Sequence, residues 1–458
     1  MSLSSETGVA KYFRFAENST NLRTEILAGL TTFMTMAYIM VVNPAILQDA
    51  FRTSMGGDGN YFGALMIATI LSTAVTTILM GLYAKYPFAL APGMGLNAYF
   101  AFVVATNPDI TAGTVLGAVM ISGIVFLILS LIGARQAIVA AIPTVIKRAI
   151  PVGIGLFIAV IGLKGSGLVQ VIDGNLLLGD LAVNKGQMTS PVLTIIGLAI
   201  ISILLVRKVK GAIFLGIIIT ALIGAIPYFG QTSLPSGSWF GVPAWGDWTS
   251  LVFGKLDVLG ALSLGFFTVI FAFLFVDMFD TIGTLIGVAD QGGFLNEKGE
   301  LERMDQAMQV DAIGTMLGSV FGTSTVTSYI ESAAGVAAGG RTGLTAIVVG
   351  ICFLLALVFQ PILSIIPGAA TYPALIVVGI LMMKGIGRIK WDDFMEAIPA
   401  FLAIVVMPLT SSIANGIAVA FISYSLLMIV TGQAKKVHWL VYLLSVLFIF
   451  RFAFIQGL

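Results

Sequence analysis

The sequence predicts an all-α polytopic membrane protein of fourteen transmembrane spans. Two observations carry that. Of its 458 residues, 58% are hydrophobic and only 10% are charged, whereas soluble domains carry about 25% charged residues. Apolar runs of about 17–25 residues, each long enough to cross the hydrocarbon core, recur along nearly the whole chain. A third observation, weak self-similarity at an offset of seven spans, predicts that the fourteen form two inverted seven-span repeats.

The spans read as 24–47, 61–83, 88–105, 112–133, 144–164, 189–206, 211–229, 259–289, 305–321, 323–337, 344–364, 370–388, 393–411 and 413–430. A further apolar segment, 438–456, either crosses or lies at the interface with Trp439 and Tyr442 at headgroup level. Residues 1–22 are polar and precede the first apolar run, so the expectation is no cleavable signal peptide and a first span that directs insertion.

Lys and Arg set the orientation. With the N-terminus in the cytoplasm, that side receives Lys11, Arg14, Arg23, Lys85, Arg135, Lys147, Arg148, Arg207, Lys208, Lys210, Lys298, Arg303, Arg341, Lys384, Arg388, Lys390, Lys435 and Lys436. The outside receives Arg52, Lys164, Lys185 and Lys255, and Arg451 is left unassigned. The asymmetry supports both the orientation and the span count.

The repeat is read from matched segments. Pro151-Val-Gly-Ile-Gly, leading to Lys164-Gly165, resembles Pro373-Ala-Leu-Ile-Val, leading to Lys384-Gly385. Gly211-Ala-Ile-Phe-Leu-Gly resembles Gly416-Ile-Ala-Val-Ala-Phe. An odd number of spans per repeat inverts the second half relative to the first. Spans three and ten are both broken. Thr323–Thr327 is Thr- and Val-rich and reads as extended. Ser328 to Glu331 reads S-x-x-E, a capping box opening a helix. Phe88–Tyr99 is the partner break. A strand inside a membrane is tolerated only where protein or a cavity satisfies its backbone, so the two breaks predict a site at mid-membrane.

Composition excludes several functions. Net charge is +1, so nothing points to nucleic acid. Cys352 is the only cysteine and His438 the only histidine, which leaves no disulfide, no metal centre and no histidine relay. Gly287–Gly293 lacks the G-x-x-x-x-G-K pattern of a nucleotide loop. No nucleophile or cofactor motif suggests an enzyme, and no repeated pore ring suggests a channel.

An ionisable residue within a span costs roughly 2.5–3.5 kcal/mol on insertion scales, so each is a functional candidate. Asp277 and Asp280 lie at i, i+3 on one face of span eight. Asp311 lies in span nine, Glu331 in span ten, and Asn97 in the broken span three. Each also has a structural reading. Glu331 completes the capping box, Asp277 and Asp311 hold hydroxyls or backbone, and Asn97 suits a cap as well as a ligand. Carboxylates in a low-dielectric cavity are proton carriers and accept N–H donors from a neutral, amide-like ligand. Nucleobases offer such donors on flat rings, and Phe275, Phe279, Tyr99 and Phe100 lie close in sequence. Two half-helices entering from opposite sides would aim their N-terminal N–H groups at the same point. An anion transporter or exchanger is the alternative, but an anion calls for Arg, Lys or bare helix N-termini, and these spans carry several acids with no deep base.

Four stretches carry a family resemblance: Thr24–Leu47 (T-E-I-L-A-G-L-T-T-F-M-T-M-A-Y-I-M-V-V-N-P-A-I-L), Ala91–Phe100 (A-P-G-M-G-L-N-A-Y-F), Asp277–Leu285 (D-M-F-D-T-I-G-T-L) and Thr323–Gly335 (T-S-T-V-T-S-Y-I-E-S-A-A-G). The chain resembles the azaguanine-type purine permeases, within the nucleobase–cation symporters that include uracil and xanthine permeases. The resemblance implies a core domain of residues 24–135 (spans one to four) and 257–366 (spans eight to eleven). It implies a gate domain of residues 136–256 (spans five to seven) and 367–432 (spans twelve to fourteen). Residues 1–23 are then a cytoplasmic N-terminal segment and 433–458 a C-terminal apolar segment. Short strands would begin spans three and ten. The implied activity is import of hypoxanthine, guanine or adenine across the cell membrane by proton symport and an elevator motion. No cofactor beyond the coupling proton is implied, and a homodimer is allowed. By position, Asp280, Glu331 and Asn97 would contact substrate, with main-chain N–H groups near Ser332 and Ala98. Asp311 and Asp277 would support the site or carry the proton.

Overall fold

The computed structural model describes residues 8–454 except 57–58, 134–140, 173–174, 182–188, 228, 233–239, 263–266 and 297–300. Arg135, Lys185 and Lys298, used above for orientation, lie outside the described residues, as does the end of the 438–456 segment.

Every sequence-predicted span contains helix. Among the described residues, eight helical stretches are long and apolar enough to cross a membrane, span one being taken as Leu22–Met55. The others are shorter or more polar. Span three is halved into the strand β1 (Leu90–Pro92) and a helix, Met94–Thr106. Span ten is halved into a strand, Val326–Ser328, and the short helix Ser332–Ala337. Span nine, Met304–Phe321, carries Asp305 and Asp311.

The helices form two groups that touch along a seam. Span two packs on spans one, nine and eleven, span four on spans eight and nine, and the half-helix of span ten on span one. Span five packs on spans twelve, thirteen and fourteen, and span six on spans seven and twelve. Fewer contacts cross the seam, chiefly span three with five, and span one with seven and twelve. Spans five and twelve, equivalents in the repeat, cross backbone to backbone. A Cβ on Gly155 would sit 2.6 Å from the Gly379 carbonyl, and the reverse approach is equally close. Small residues permit this approach where lipid supplies no hydrophobic drive.

The structure departs from the sequence reading in four places. Span one is two helices, Leu22–Met36 and Ile39–Met55, joined by a turn at Ala37 and Tyr38. Pro44 lies in the second and leaves the Met40 carbonyl without its helical donor. Span eight is one helix only from Phe267 to Gly292, preceded by a separate turn of helix, Val258–Ala261, capped by Asp257. Between spans five and six, the strands β2 (Val169–Ile172) and β3 (Asn175–Leu178) form an exposed antiparallel hairpin that the sequence reading lacked. The fourth strand, β4, is therefore Val326–Ser328, slightly later than the extended reading of Thr323–Thr327. The 438–456 segment, left open above, forms the helix Trp439–Phe454, which runs antiparallel beside span fourteen. Ser445 meets Ser425 at 2.7 Å, and Arg451, 5% exposed, donates to Asn415 Oδ1 at 2.9 Å.

A buried carboxylate ties the first group together. Glu25, in span one, is fully buried. It accepts from Thr20 Oγ1 (2.8 Å), the Arg341 N–H (3.0 Å), the Thr342 N–H (3.3 Å) and hydroxyl (2.9 Å), and the Thr345 N–H (3.3 Å) and hydroxyl (2.6 Å). It thereby caps span eleven, whose first N–H groups have no helical acceptor. The Arg341 side chain turns back to the Val336 and Gly340 carbonyls, closing the end of the span-ten half-helix.

Candidate functional site

The two broken spans meet through β1 and β4, which pair antiparallel with Leu90 opposite Ser328, Ala91 opposite Thr327 and Pro92 opposite Val326. The Gly93 and Tyr329 N–H groups extend the ladder to the Thr325 and Ala89 carbonyls. A two-stranded ribbon has two outer edges, and in a membrane each open backbone group costs several kcal/mol. Side chains close both edges. Thr77 Oγ1, from span two, accepts from the Leu90 N–H at 2.9 Å and donates to the Leu90 carbonyl at 3.0 Å. Asp311 Oδ1, from span nine, accepts from the Ser328 N–H at 2.9 Å and hydroxyl at 3.1 Å. Leu90 and Ser328 are cross-strand partners, and spans two and nine are seven apart. Thr77 and Asp311 therefore do the same work in the two repeats.

Hydroxyls fill the surrounding space. Thr315 donates to Asp277 Oδ2 at 2.7 Å, Thr281 meets Thr327 at 2.7 Å, and Asn43 donates to Thr69 and Thr323. Asn97 donates to the Pro92 carbonyl at 3.3 Å, and Ser332 Oγ accepts from the Ala89 N–H at 2.9 Å.

The capping box is absent. The chain passes from β4 to the half-helix through a tight turn, with Ser332, Ala333 and Ala334 each bonding three residues back. The Ser328 N–H that a capping glutamate would take is held by Asp311. Glu331 is thus released to face the seam, where Tyr38, at the break in span one, donates its hydroxyl to Glu331 Oε1 at 2.6 Å.

Glu331 opens onto a cavity of about 540 Å³ between the two helix groups. One wall is Tyr38, Gly93–Gly95, Phe279, Asp280, Thr284 and Tyr329–Glu331. The other includes Pro151, Val209, Val378 and Met382, with the exposed Lys384 at its edge. Asp280 makes no hydrogen bond or ion pair among the described residues. It is a half-buried carboxylate with its acceptors unused.

Of the residues singled out in the sequence, Asp280 and Glu331 line the cavity together. Asn97, Ala98, Ser332, Asp277 and Asp311 lie behind the wall, Asn97, Asp311 and Ser332 fully buried. The main-chain donors expected near Ser332 and Ala98 are corrected. The Ser332 N–H is spent on the Tyr329 carbonyl at 3.1 Å. Ala98 lies beyond the first helical bond of span three, Asn97 N–H to Gly93 carbonyl at 2.8 Å. The open donors of that helix are the first-turn N–H groups, and Met94 and Gly95, in that turn, line the cavity. Of the four aromatics named from sequence, Phe279 alone is in the wall. Tyr38 was not singled out, and Lys384 entered only through the orientation and the repeat.

Fold and cavity together are those of a membrane transporter with a site between two helix groups. The family model described as Permease family, that of the xanthine/uracil permeases, matches residues 23–419, and the chain belongs to that family. It is 44% identical over 456 residues to the guanine/hypoxanthine permease PbuG of Bacillus subtilis, covering 97% of this chain and 99% of that one. It is 41% identical over 453 residues to the adenine permease AdeP of Escherichia coli, covering 98% and 96%. Among solved structures, the transmembrane domain of a cyanobacterium bicarbonate transporter, BicA, matches with a TM-score of 0.58 at 16% identity, covering 86% of this chain and 97% of that one. The architecture is the seven-plus-seven inverted repeat of such transporters.

Proposed function

We propose that the chain imports purine nucleobases by proton symport, with Asp280 and Glu331 accepting the N–H groups of the base and the Met94 and Gly95 N–H groups donating to its carbonyl or ring nitrogens. The observation that carries this is Asp280, an acid without a partner inside the cavity, set in the same wall as Glu331 and the open helix end of span three. The names of the relatives, guanine/hypoxanthine and adenine permeases, support purines as the substrate class.

In this reading spans one to four and eight to eleven are the core, and spans five to seven and twelve to fourteen the gate. Alternating access is the core moving along the seam as an elevator. The strand pairing supports a core that moves as a unit, because neither broken span can shift without the other. The protein sits in the cell membrane with its N-terminus in the cytoplasm. Asp311 and Asp277, buried one layer behind Asp280, support the site or carry the coupling proton.

Uptake of labelled hypoxanthine into cells or vesicles, competed by purines, pyrimidines, bicarbonate and sulfate, tests this. Competition by purines alone is expected. Competition by the anions and not by purines overturns it in favour of an anion exchanger. Uphill uptake that survives collapse of the pH gradient removes the proton coupling.

A further inference from the structure

The seam holds a second hollow, of about 460 Å³, separate from the candidate site. Span one contributes Phe33 and Met40, span seven Phe214 and Ile218, and span eleven Cys352 and Leu355. The wall is otherwise aliphatic and aromatic, apart from the Thr232 hydroxyl. Thr232 is 8% exposed, and its Oγ1 has no hydrogen-bond partner among the described residues. It lies beside the end of span seven, its N–H bonded to the Gly224 carbonyl at 3.0 Å. The hollow thus has an apolar length and one unsatisfied hydroxyl at a helix end.

Its rim faces outward. Leu222 is 59% exposed, Leu355 62% and Phe359 45%. In a membrane chain such surfaces meet hydrocarbon. An apolar hollow does not hold water, and left empty it forfeits the dispersion contacts of its lining. A helix about 10–12 Å across would fill this volume in about one turn, so the space suits a narrow flexible chain.

We infer that an acyl chain of a bilayer lipid occupies this hollow, wedged between spans one and eleven on one side and span seven on the other, with the lipid's ester region at Thr232. The site lies on the seam, so the bound chain packs against both helix groups at once. Lipid is then part of the surface along which they meet. The binding claim stands independently of the substrate reading.

The test uses the full chain reconstituted in phosphatidylethanolamine–phosphatidylglycerol vesicles doped with a phosphatidylcholine that carries a diazirine on one acyl chain. After illumination, labelled peptides are mapped by mass spectrometry. Labelling concentrated on the spans that line the hollow, including Ile218 and Cys352, is expected, and labelling spread evenly over all outward helices overturns the proposal. In Ile218→Trp and Cys352→Trp the indole obstructs the hollow, so that labelling should fall sharply while labelling of Trp439–Phe454 persists and reports a folded chain. Retained seam labelling in such folded variants also overturns it. Cys352 is the only cysteine, which gives a second readout. Oxidative crosslinking of the wild type through Cys352 into a covalent dimer would mean that another copy, not lipid, covers the hollow.

Discussion

The Tyr38 hydroxyl donates to Glu331 Oε1 across 293 positions of sequence. One carboxylate oxygen of Glu331 is therefore committed to the protein, and the carboxylate is held at a fixed angle to the cavity. Replacing Tyr38 by Phe keeps the ring and removes the donor. A hydrogen bond to a charged group is worth about 1.5–3 kcal/mol, so Tyr38→Phe should weaken base binding by about tenfold or more. Competition binding on purified protein measures this. Unchanged affinity would mean that Glu331 is positioned by its own turn.

Asp280 stands apart from the other membrane acids because none of the described residues uses its oxygens. Asp280→Asn should leave thermal stability unchanged and abolish purine binding. Intact uptake in this variant removes Asp280 from the site.

Asp311 separates structural from functional roles by choice of substitution. Asp311→Ala opens the outer edge of β4 and leaves the Ser328 N–H unpaired, a cost of about 1–3 kcal/mol, read as a lower Tm. Asp311→Asn retains an acceptor for that N–H and should restore the Tm. If Asp311→Asn binds purine yet no longer accumulates it against a gradient, Asp311 carries the proton. Full accumulation assigns it to support alone.

Glu25 collects donors from the loop between spans ten and eleven. Glu25→Ala strands several buried donors at once and should lower stability by about 3 kcal/mol or more, in the range for uncovering buried charge-assisted networks. Thermal unfolding in detergent with and without hypoxanthine checks it. A Tm shift smaller than that of Asp311→Ala would contradict the network.

Gly155 and Gly379 mark where spans five and twelve touch. Gly155→Leu forces the helices apart and should abolish folded protein by size-exclusion profile, whereas Gly387→Ala, where a Cβ meets nothing within 4 Å, should be silent. Equal tolerance at both sites would mean the close crossing is dispensable.

The sequence made the acids and the breaks legible for one physical reason. Polar groups are costly in an apolar chain, so Asp280, Glu331 and the Thr-rich stretch stand out. Tyr38 did not, because one tyrosine among many aromatics carries no such cost signal, and Pro44 only hints at the interruption of span one. The capping box was misread because the group that takes the Ser328 N–H, Asp311, comes from another span, which local spacing does not reveal. The open amides of Met94 and Gly95 were missed by a few residues, since the first helical position depends on where β1 ends. The β2–β3 hairpin did carry a signal, V-Q-V-I-D-G-N-L-L-L with Asp-Gly at its centre, hidden within a chain read for membrane helices.

The pairing of β1 with β4 also bears on how the protein is made. Tyr329 donates to the Pro92 carbonyl from 237 positions away, and the whole ribbon spans a similar separation. Contacts this distant in sequence form late and slowly. While the ribosome is still producing the second half, Leu90–Pro92 has already entered the bilayer as an unpaired edge, with Thr77 as its resident partner on the first-half side. A chain truncated before Val326 would therefore insert its spans yet expose an open strand, a natural target for membrane quality control. The hydrogen bonds that shape the cavity therefore form only once both halves of the ribbon, up to Ser328, are in place.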